Sequence, residues 1–214
     1  MENKFVICLG REYGSGGHNI GKLLAGMLGV DYYDKKLLDE AARKSGISEE
    51  YFERSDEKAP GSLTHTLASG LFAGGGGMFM YNNSLSSESI FQFQSEAILN
   101  LAAEKSCVIV GRCADYVLRE HERIFSVFIT APMPDRVRRI SHREDMAADK
   151  AREKAKKIDK IRKEYYDYYT NKRWGRAASY DLCIDSSVLG DEGTARYICD
   201  FIRRALEENR GKKE

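Results

Sequence analysis

An α/β fold built on a doubly wound parallel sheet is what this chain predicts, and three observations predict it. Five short apolar runs of strand length are spread over 214 residues, at 5–9, 30–33, 107–110, 124–129 and 182–185. Stretches with helical periodicity separate them. The first run passes through a glycine-rich turn directly into a helix, the order of a strand–turn–helix unit in a parallel sheet. Runs apolar on successive residues suit strands buried on both faces, and the ligand crevice of such a sheet lies beyond the strands' carboxyl ends.

Each helix has its own signal. After the first strand, Ile20, Leu23, Leu24 and Met27 recur on one face. The segment "DKKLLDEAARKSG" places Asp34 to cap a second helix and Gly46 to end it. Residues 86–104 carry a stripe of Ile90, Phe91, Ala97, Ile98, Leu101 and Ala102. Pro132 and Asp135 open another helix that runs through Arg143. A last helix, 191–208, turns Ala195, Ile198, Cys199, Ile202 and Leu206 inward.

Composition narrows the function classes. The formal net charge is +1, so no general attraction to polyanions is implied. Every apolar stretch falls far short of about 18 residues, which argues against membrane spanning and secretion. Five scattered cysteines, Cys8, Cys107, Cys113, Cys183 and Cys199, include no zinc-type C-x-x-C pair. They read as reduced thiols of a cytoplasmic protein.

The turn between the first strand and the first helix is the most informative segment. Gly14, Gly16 and Gly17 allow successive backbone N–H groups to converge, and the helix start adds partial positive charge. That is how a backbone wraps a phosphate. A standard P-loop reads G-x-x-x-x-G-K-S/T, and here the lysine position after Gly16 is Gly17. A tight turn without a ligand is the plain alternative.

Two stretches break the alternation. Residues 55–89 are long, polar and glycine-rich, with "AGGGGMFM" at the centre, and are expected to be a flexible segment or a surface loop. Residues 135–176 hold 15 Lys or Arg against 8 Asp or Glu, while the rest of the chain is acidic. Such a run is a solvated face in many helices, yet segregation beside a phosphate-binding turn favours a lid that closes on phosphate. Nucleic-acid binding is the competing use, with Tyr165, Tyr166, Tyr168 and Tyr169 as stacking candidates. Adjacent tyrosines fan around a helix, so they are expected to pack that helix on the core instead.

Four blocks carry a resemblance, in order over nearly the whole length: "GREYGSGGHNIGKLLA", "YYDKKLLDEAA", "VIVGRCADYVL" and "IDKIRKEYYDYYTNKRWGRAASYDLCIDSSVLG". The chain resembles the cytidylate kinase-like family of P-loop proteins. The resemblance implies a three-layer P-loop NTPase fold with a five-stranded parallel sheet of order 2-3-1-4-5. It implies a single domain over 1–214, an acceptor-binding insertion at about 48–89 and a basic lid at about 143–176. It further implies phosphoryl transfer from ATP, with Mg2+, to a small nucleotide acceptor such as CMP. No membrane partner follows from it, and the oligomeric state stays open.

Mapped on this sequence, Gly14, Ser15, Gly16, Gly17, His18 and Asn19 would surround the β-phosphate, with Asn19 or Ser15 approaching magnesium. The missing positive charge has candidates in Arg11, His18 and the lid, where Asp159 and Arg162 repeat an Asp-x-x-Arg spacing of cytidylate kinases. Three residues apart on a helix, they share a face, so the aspartate can orient the guanidinium; an exposed ion pair is the alternative. Arg112 would grip the acceptor phosphate, or bridge Asp115 or Glu120 on the surface. The aspartate that reads cytosine in the family is here Cys113, with Asp115 as substitute, and this departure bears on CMP as acceptor. Asp34 is both a helix cap and an acceptor-orienting carboxylate in this reading. Besides a kinase of a monophosphate, a nucleotide-binding module without turnover and a kinase of another small molecule fit the same residues.

Overall fold

A computed structural model describes residues 4–44 and 87–211. The segment expected to be the flexible insertion, up to residue 86, the helix end at Gly46 and the final residues 212–214 lie outside the described residues, while residues 87–89 are helical. Five strands, β1 (Val6–Arg11), β2 (Asp31–Tyr33), β3 (Cys107–Val110), β4 (Ile124–Thr130) and β5 (Leu182–Asp185), form one parallel sheet of order β2-β3-β1-β4-β5. Helices cover both faces: α1 (Gly17–Leu28), α2 (Lys35–Lys44), α3 (Ser87–Glu104), the short α4 (Ala114–Val117), α5 (Met133–Glu144), α6 (Ala148–Thr170) and α7 (Ser186–Gly211). The helix α7 is interrupted at Gly190, where φ is 67°, so its main shaft begins at Asp191 as its apolar spacing predicts.

Strand β1 shows why this sequence needs two helical layers. Ile7 and Leu9 face one side and pack with Ile20, Leu24 and Ala25 of α1 and with Ala195, Ile198, Cys199 and Ile202 of α7. Val6 and Cys8 face the other side, against Leu38 of α2, Ile98 and Ala102 of α3, and Ala114. Both faces of the central strand are therefore dry, which explains its lack of polar alternation. Burial of each large aliphatic side chain contributes about 1.5–3 kcal/mol. Among the described residues no helix is long and apolar enough to cross a membrane.

This arrangement places Arg11, Asp34 and Arg112 at or just beyond the carboxyl ends of β1, β2 and β3, at one rim of the sheet. Asp34 accepts from the Leu37 N–H at 3.1 Å and caps α2. Helices α5 and α6 pack on each other through Val137, Ile140, Ala151 and Ala155, with Tyr13 of the turn against that small core. On this packing, Ile198→Ala is expected to destabilise the protein by about 2–5 kcal/mol in urea unfolding. Tyr197→Ala, one residue away but exposed, is expected to change stability by less than about 0.5 kcal/mol.

Candidate functional site

The turn from β1 to α1 is held from below by one buried guanidinium. Arg136 of α5 is 4% exposed. Its Nε–H donates to the Tyr13 carbonyl at 2.8 Å, its Nη1 pairs with Glu12 at 3.1 Å, and its Nη2 pairs with Asp159. Glu12 also accepts from the Thr130 hydroxyl at 2.5 Å and the Ala131 N–H at 3.1 Å, which ties the turn to the end of β4. Asp159 accepts the Tyr13 N–H at 2.8 Å, so α6 is fastened to the same turn. Burial raises the Asp159 carboxyl, and the Tyr13 N–H and Arg136 work in the opposite direction.

Above this anchor the glycines do what their spacing predicts. Gly14 and Gly16 take φ of 84° and 83°, left-handed values that a side chain rarely tolerates. A Cβ on Gly14 would stand 2.9 Å from the Arg136 carbonyl. Gly16 is the N-cap of α1, no side chain caps that helix, and its first turn contains no acidic residue. The first N–H groups of the helix thus have no side-chain cap, and the Asp191 carboxylate lies against Gly16.

Guanidinium groups surround this opening. Arg11 crosses the face of Gly17 and ends against Gly111, where an added Cβ would collide with Nη1. Burial pulls the Arg11 guanidinium down to about 9, and Arg162 and Arg112 push the same way. Arg162 of α6 donates to the Arg11 carbonyl at 3.0 Å, and burial lowers it too. Arg112 sits in a run of three left-handed residues, Gly111, Arg112 and Cys113, with φ of 81°, 58° and 55°. Two non-glycine residues in that region store about 1–3 kcal/mol each. The turn carries the Arg112 guanidinium to 5.7 Å from the Tyr165 ring. Arg11, His18, Asp34, Lys35, Lys36, Asp39, Glu40 and Val110 line a cavity of about 550 Å³ beside the glycine turn.

The remaining sequence-derived candidates fall in different places. His18 shares its Nδ1 with the Tyr32 hydroxyl at 2.8 Å and lies 3.7 Å from Asp34. Partial burial and Lys22 lower its pKa, which makes it a poor stand-in for a lysine. Asn19 is exposed at the helix start and directs its amide N–H to Asp191 at 3.4 Å. Ser15 is fully buried, donates to the Glu12 carbonyl at 2.9 Å and so turns its hydroxyl away from the opening. Asp115 is 8% exposed and accepts from the Tyr166 hydroxyl at 2.7 Å and from Lys172 at 3.5 Å, which ties it to the end of α6 and the turn after it. Cys113 is buried, and burial together with Asp115 pushes its thiol up to about 12. The carboxylate of Asp159 binds Tyr13 and Arg136, while Arg162 binds Arg11, so the two share a helix face without the direct bond that their spacing suggests. Three of the four tyrosines pack as expected: Tyr166 is buried, Tyr169 stacks on Phe91 at 4.1 Å, and Tyr165 meets Phe91 edge-on at 6.4 Å. Tyr168 is 69% exposed.

Sequence reasoning missed Tyr13 and the pair Arg139–Asp191. The ring of Tyr13 has the cations of Arg143, Lys154 and Arg162 at 5.2, 5.9 and 5.5 Å, and its hydroxyl donates to Glu144 at 2.5 Å. Arg139 pairs with Asp191 at 2.7 Å directly against Gly16. Only the polar turn residue inside a glycine motif, and the arginine-rich helix after Pro132, hinted at either.

Comparison with known proteins agrees with this geometry. A sequence model described as the cytidylate kinase-like family matches residues 6–188. The chain belongs to the cytidylate kinase-like family. No curated protein matches significantly. Among solved structures, an uncharacterised protein from Eubacterium ventriosum ATCC 27560 is similar at 28% identity, with a TM-score of 0.70 over 94% of this chain and 99% of that one. A gluconokinase from Sinorhizobium meliloti 1021 has 12% identity and a TM-score of 0.58, with 98% of each chain covered. A shikimate kinase from Bacteroides thetaiotaomicron has 16% identity and a TM-score of 0.52, covering 95% of this chain and 98% of its own. This family member therefore carries the P-loop kinase fold, with the sheet order that its sequence blocks implied.

One variant tests the anchor, and a second tests the Glu144 cluster beside it. Arg136→Ala would leave Glu12 and Asp159 facing one another without their shared cation, and is expected to cost about 3–5 kcal/mol in denaturant unfolding. The carboxyl of Glu144 is held at about 2 against an ordinary 4.5 by Lys154, Tyr13 and Arg143. A depressed carboxylate stabilises the fold above its unfolded pKa and loses that contribution as pH falls toward the folded one. The Tm advantage of the wild type over Glu144→Gln is accordingly expected in full above pH about 4.5 and to vanish toward about 2.

Proposed function

We propose that this protein is an ATP-dependent phosphotransferase acting on a small anionic acceptor, with a nucleoside monophosphate such as CMP as the first candidate. The observation that carries the reading is the arginine cluster at the glycine turn: Arg11 crosses Gly17 at the uncapped start of α1 and lines the cavity, Arg162 donates to the Arg11 carbonyl, and Arg112 follows Gly111, against which the Arg11 guanidinium ends. Burial and the neighbouring Arg162 and Arg112 lower the proton affinity of the Arg11 guanidinium, which is poorly placed for an empty protein and well placed for a polyphosphate.

In this reading the backbone of Gly14 to Asn19 holds the β-phosphate, with Ser15 contributing main chain only. Arg11 and Arg162 neutralise charge on the terminal phosphoryl group, and Arg112 grips the acceptor's anion. The bond from the γ-phosphorus to the bridging oxygen breaks as a bond to the acceptor oxygen forms, and ADP leaves. A monophosphate acceptor is already ionised and needs no base; a hydroxyl acceptor would pass its proton to Asp34. Asp159 acts as a positioning residue, because it holds α6 against the turn from which Arg162 reaches in. Magnesium would accompany ATP on its phosphates and waters. Five thiols without a disulfide suit work in the cytoplasm.

A coupled assay with ATP, magnesium and a panel of monophosphates and sugar or ring alcohols tests the proposal. Diphosphate formed from at least one monophosphate is the expected result, and ATP binding without turnover on any acceptor would make the protein a binding module instead. Arg162→Ala is expected to slow turnover by about tenfold or more, read as kcat, and Arg112→Ala to raise the acceptor's KM more than that of ATP. An unchanged kcat in the first variant would reject the role of Arg162.

A further inference from the structure

The glycine turn departs from the lysine-bearing pattern at Arg11, Gly17 and His18, and the first two of these positions touch. With Gly16 as the second glycine of G-x-x-x-x-G-K-S/T, the lysine falls on Gly17 and the first glycine falls on Arg11. A Cβ on Gly17 would lie 2.6 Å from the Arg11 Cβ and 2.9 Å from its Cγ. Gly17 opens α1 and is not one of the left-handed glycines of the turn, which are Gly14 and Gly16. Helix propensity alone would favour nearly any other residue there. What requires a glycine at this place is the side chain of Arg11 passing over it. The far end of that path is cleared as well, because Gly111 leaves room for the guanidinium.

We propose that Arg11 and Gly17 have exchanged the two roles of the motif, so that the cation on the transferred phosphate descends from the end of β1 instead of rising from α1. This deepens the functional reading above and rests on it. The exchange explains how a phosphate-binding turn dispenses with its lysine without losing the charge. It also changes the chemistry: a planar fork can bind two phosphate oxygens at once, where an ammonium is a point charge. The guanidinium ends beside Gly111 and Arg112, and Arg11 lines the cavity that α2 helps to form. The cation therefore lies on the α2 and β3 side of the turn, between it and the cavity.

Restoring the common pattern is the test. Calorimetry with ATP and magnesium compares the wild type with Arg11→Gly, Gly17→Lys and the double variant. Arg11→Gly is expected to weaken binding about tenfold or more. Gly17→Lys alone weakens it too, because the lysine stem meets Arg11. The double variant is expected to return to within about threefold of the wild type, since one charge and one clear path are both restored. A second measurement needs no ligand: Gly17→Ala is expected to lower Tm by about 3 °C or more in the wild type and by less than about 1 °C in Arg11→Gly. A folded double variant that binds no better than Arg11→Gly overturns the exchange, and so do equal Tm losses in the two backgrounds. A wild type that takes up no triphosphate overturns the functional reading and the exchange with it; a wild type that binds, without recovery in the double variant, overturns the exchange alone.

Discussion

One guanidinium, that of Arg136, joins three parts of the chain that are distant in sequence. It pairs with Glu12 before the glycines, with the carbonyl of Tyr13 between them, and with Asp159 in the middle of α6. Buried charges of this kind are costly unless every partner is satisfied. Here both carboxylates have additional donors, from Thr130, Ala131 and the Tyr13 N–H. The result is a turn whose backbone cannot shift without uncovering charge. The conformations of Gly14 and Gly16, the opening of α1 and the placement of Arg162 over the turn all follow from that constraint.

A second feature follows from the first. With Glu12 and Asp159 consumed below the turn, the arginines above it have no comparable set of carboxylates. Asp34 is the carboxylate that acts on Arg11, and it already caps α2 and faces His18, while Asp159 acts on Arg162. Arg11, Arg112 and Arg162 consequently stand close to one another, and burial lowers the proton affinity of Arg11 and Arg162. Proteins keep such an arrangement where a ligand supplies the missing negative charge. The fold of P-loop kinases sets this cluster at the carboxyl rim of the sheet, where an open α/β sheet binds its ligands.

Much of this was legible in the sequence, and the reasons divide by range. The strands were readable because both faces of a central strand are buried, which removes the polar alternation, and the cap at Asp34 because it is a local interaction. The role of Asp115 was not readable: whether a carboxylate faces the opening or the core depends on partners far along the chain, Asp115 meeting Tyr166 fifty-one residues away. For Asp159 and Arg162, helical spacing put both on one face. It could not say that a third residue, Arg136, would compete for the carboxylate. The passage of Arg11 over Gly17 was hidden for the same reason, since a motif lists positions and not which side chains cross.

The direct measurement is a backbone amide NMR titration of the folded protein with ATP and magnesium. The account predicts that the N–H signals of Gly16, Gly17 and His18 at the start of α1 move together, with one common affinity. A titration in which those three signals stay fixed while amides elsewhere respond would contradict the claim that this turn holds the phosphates.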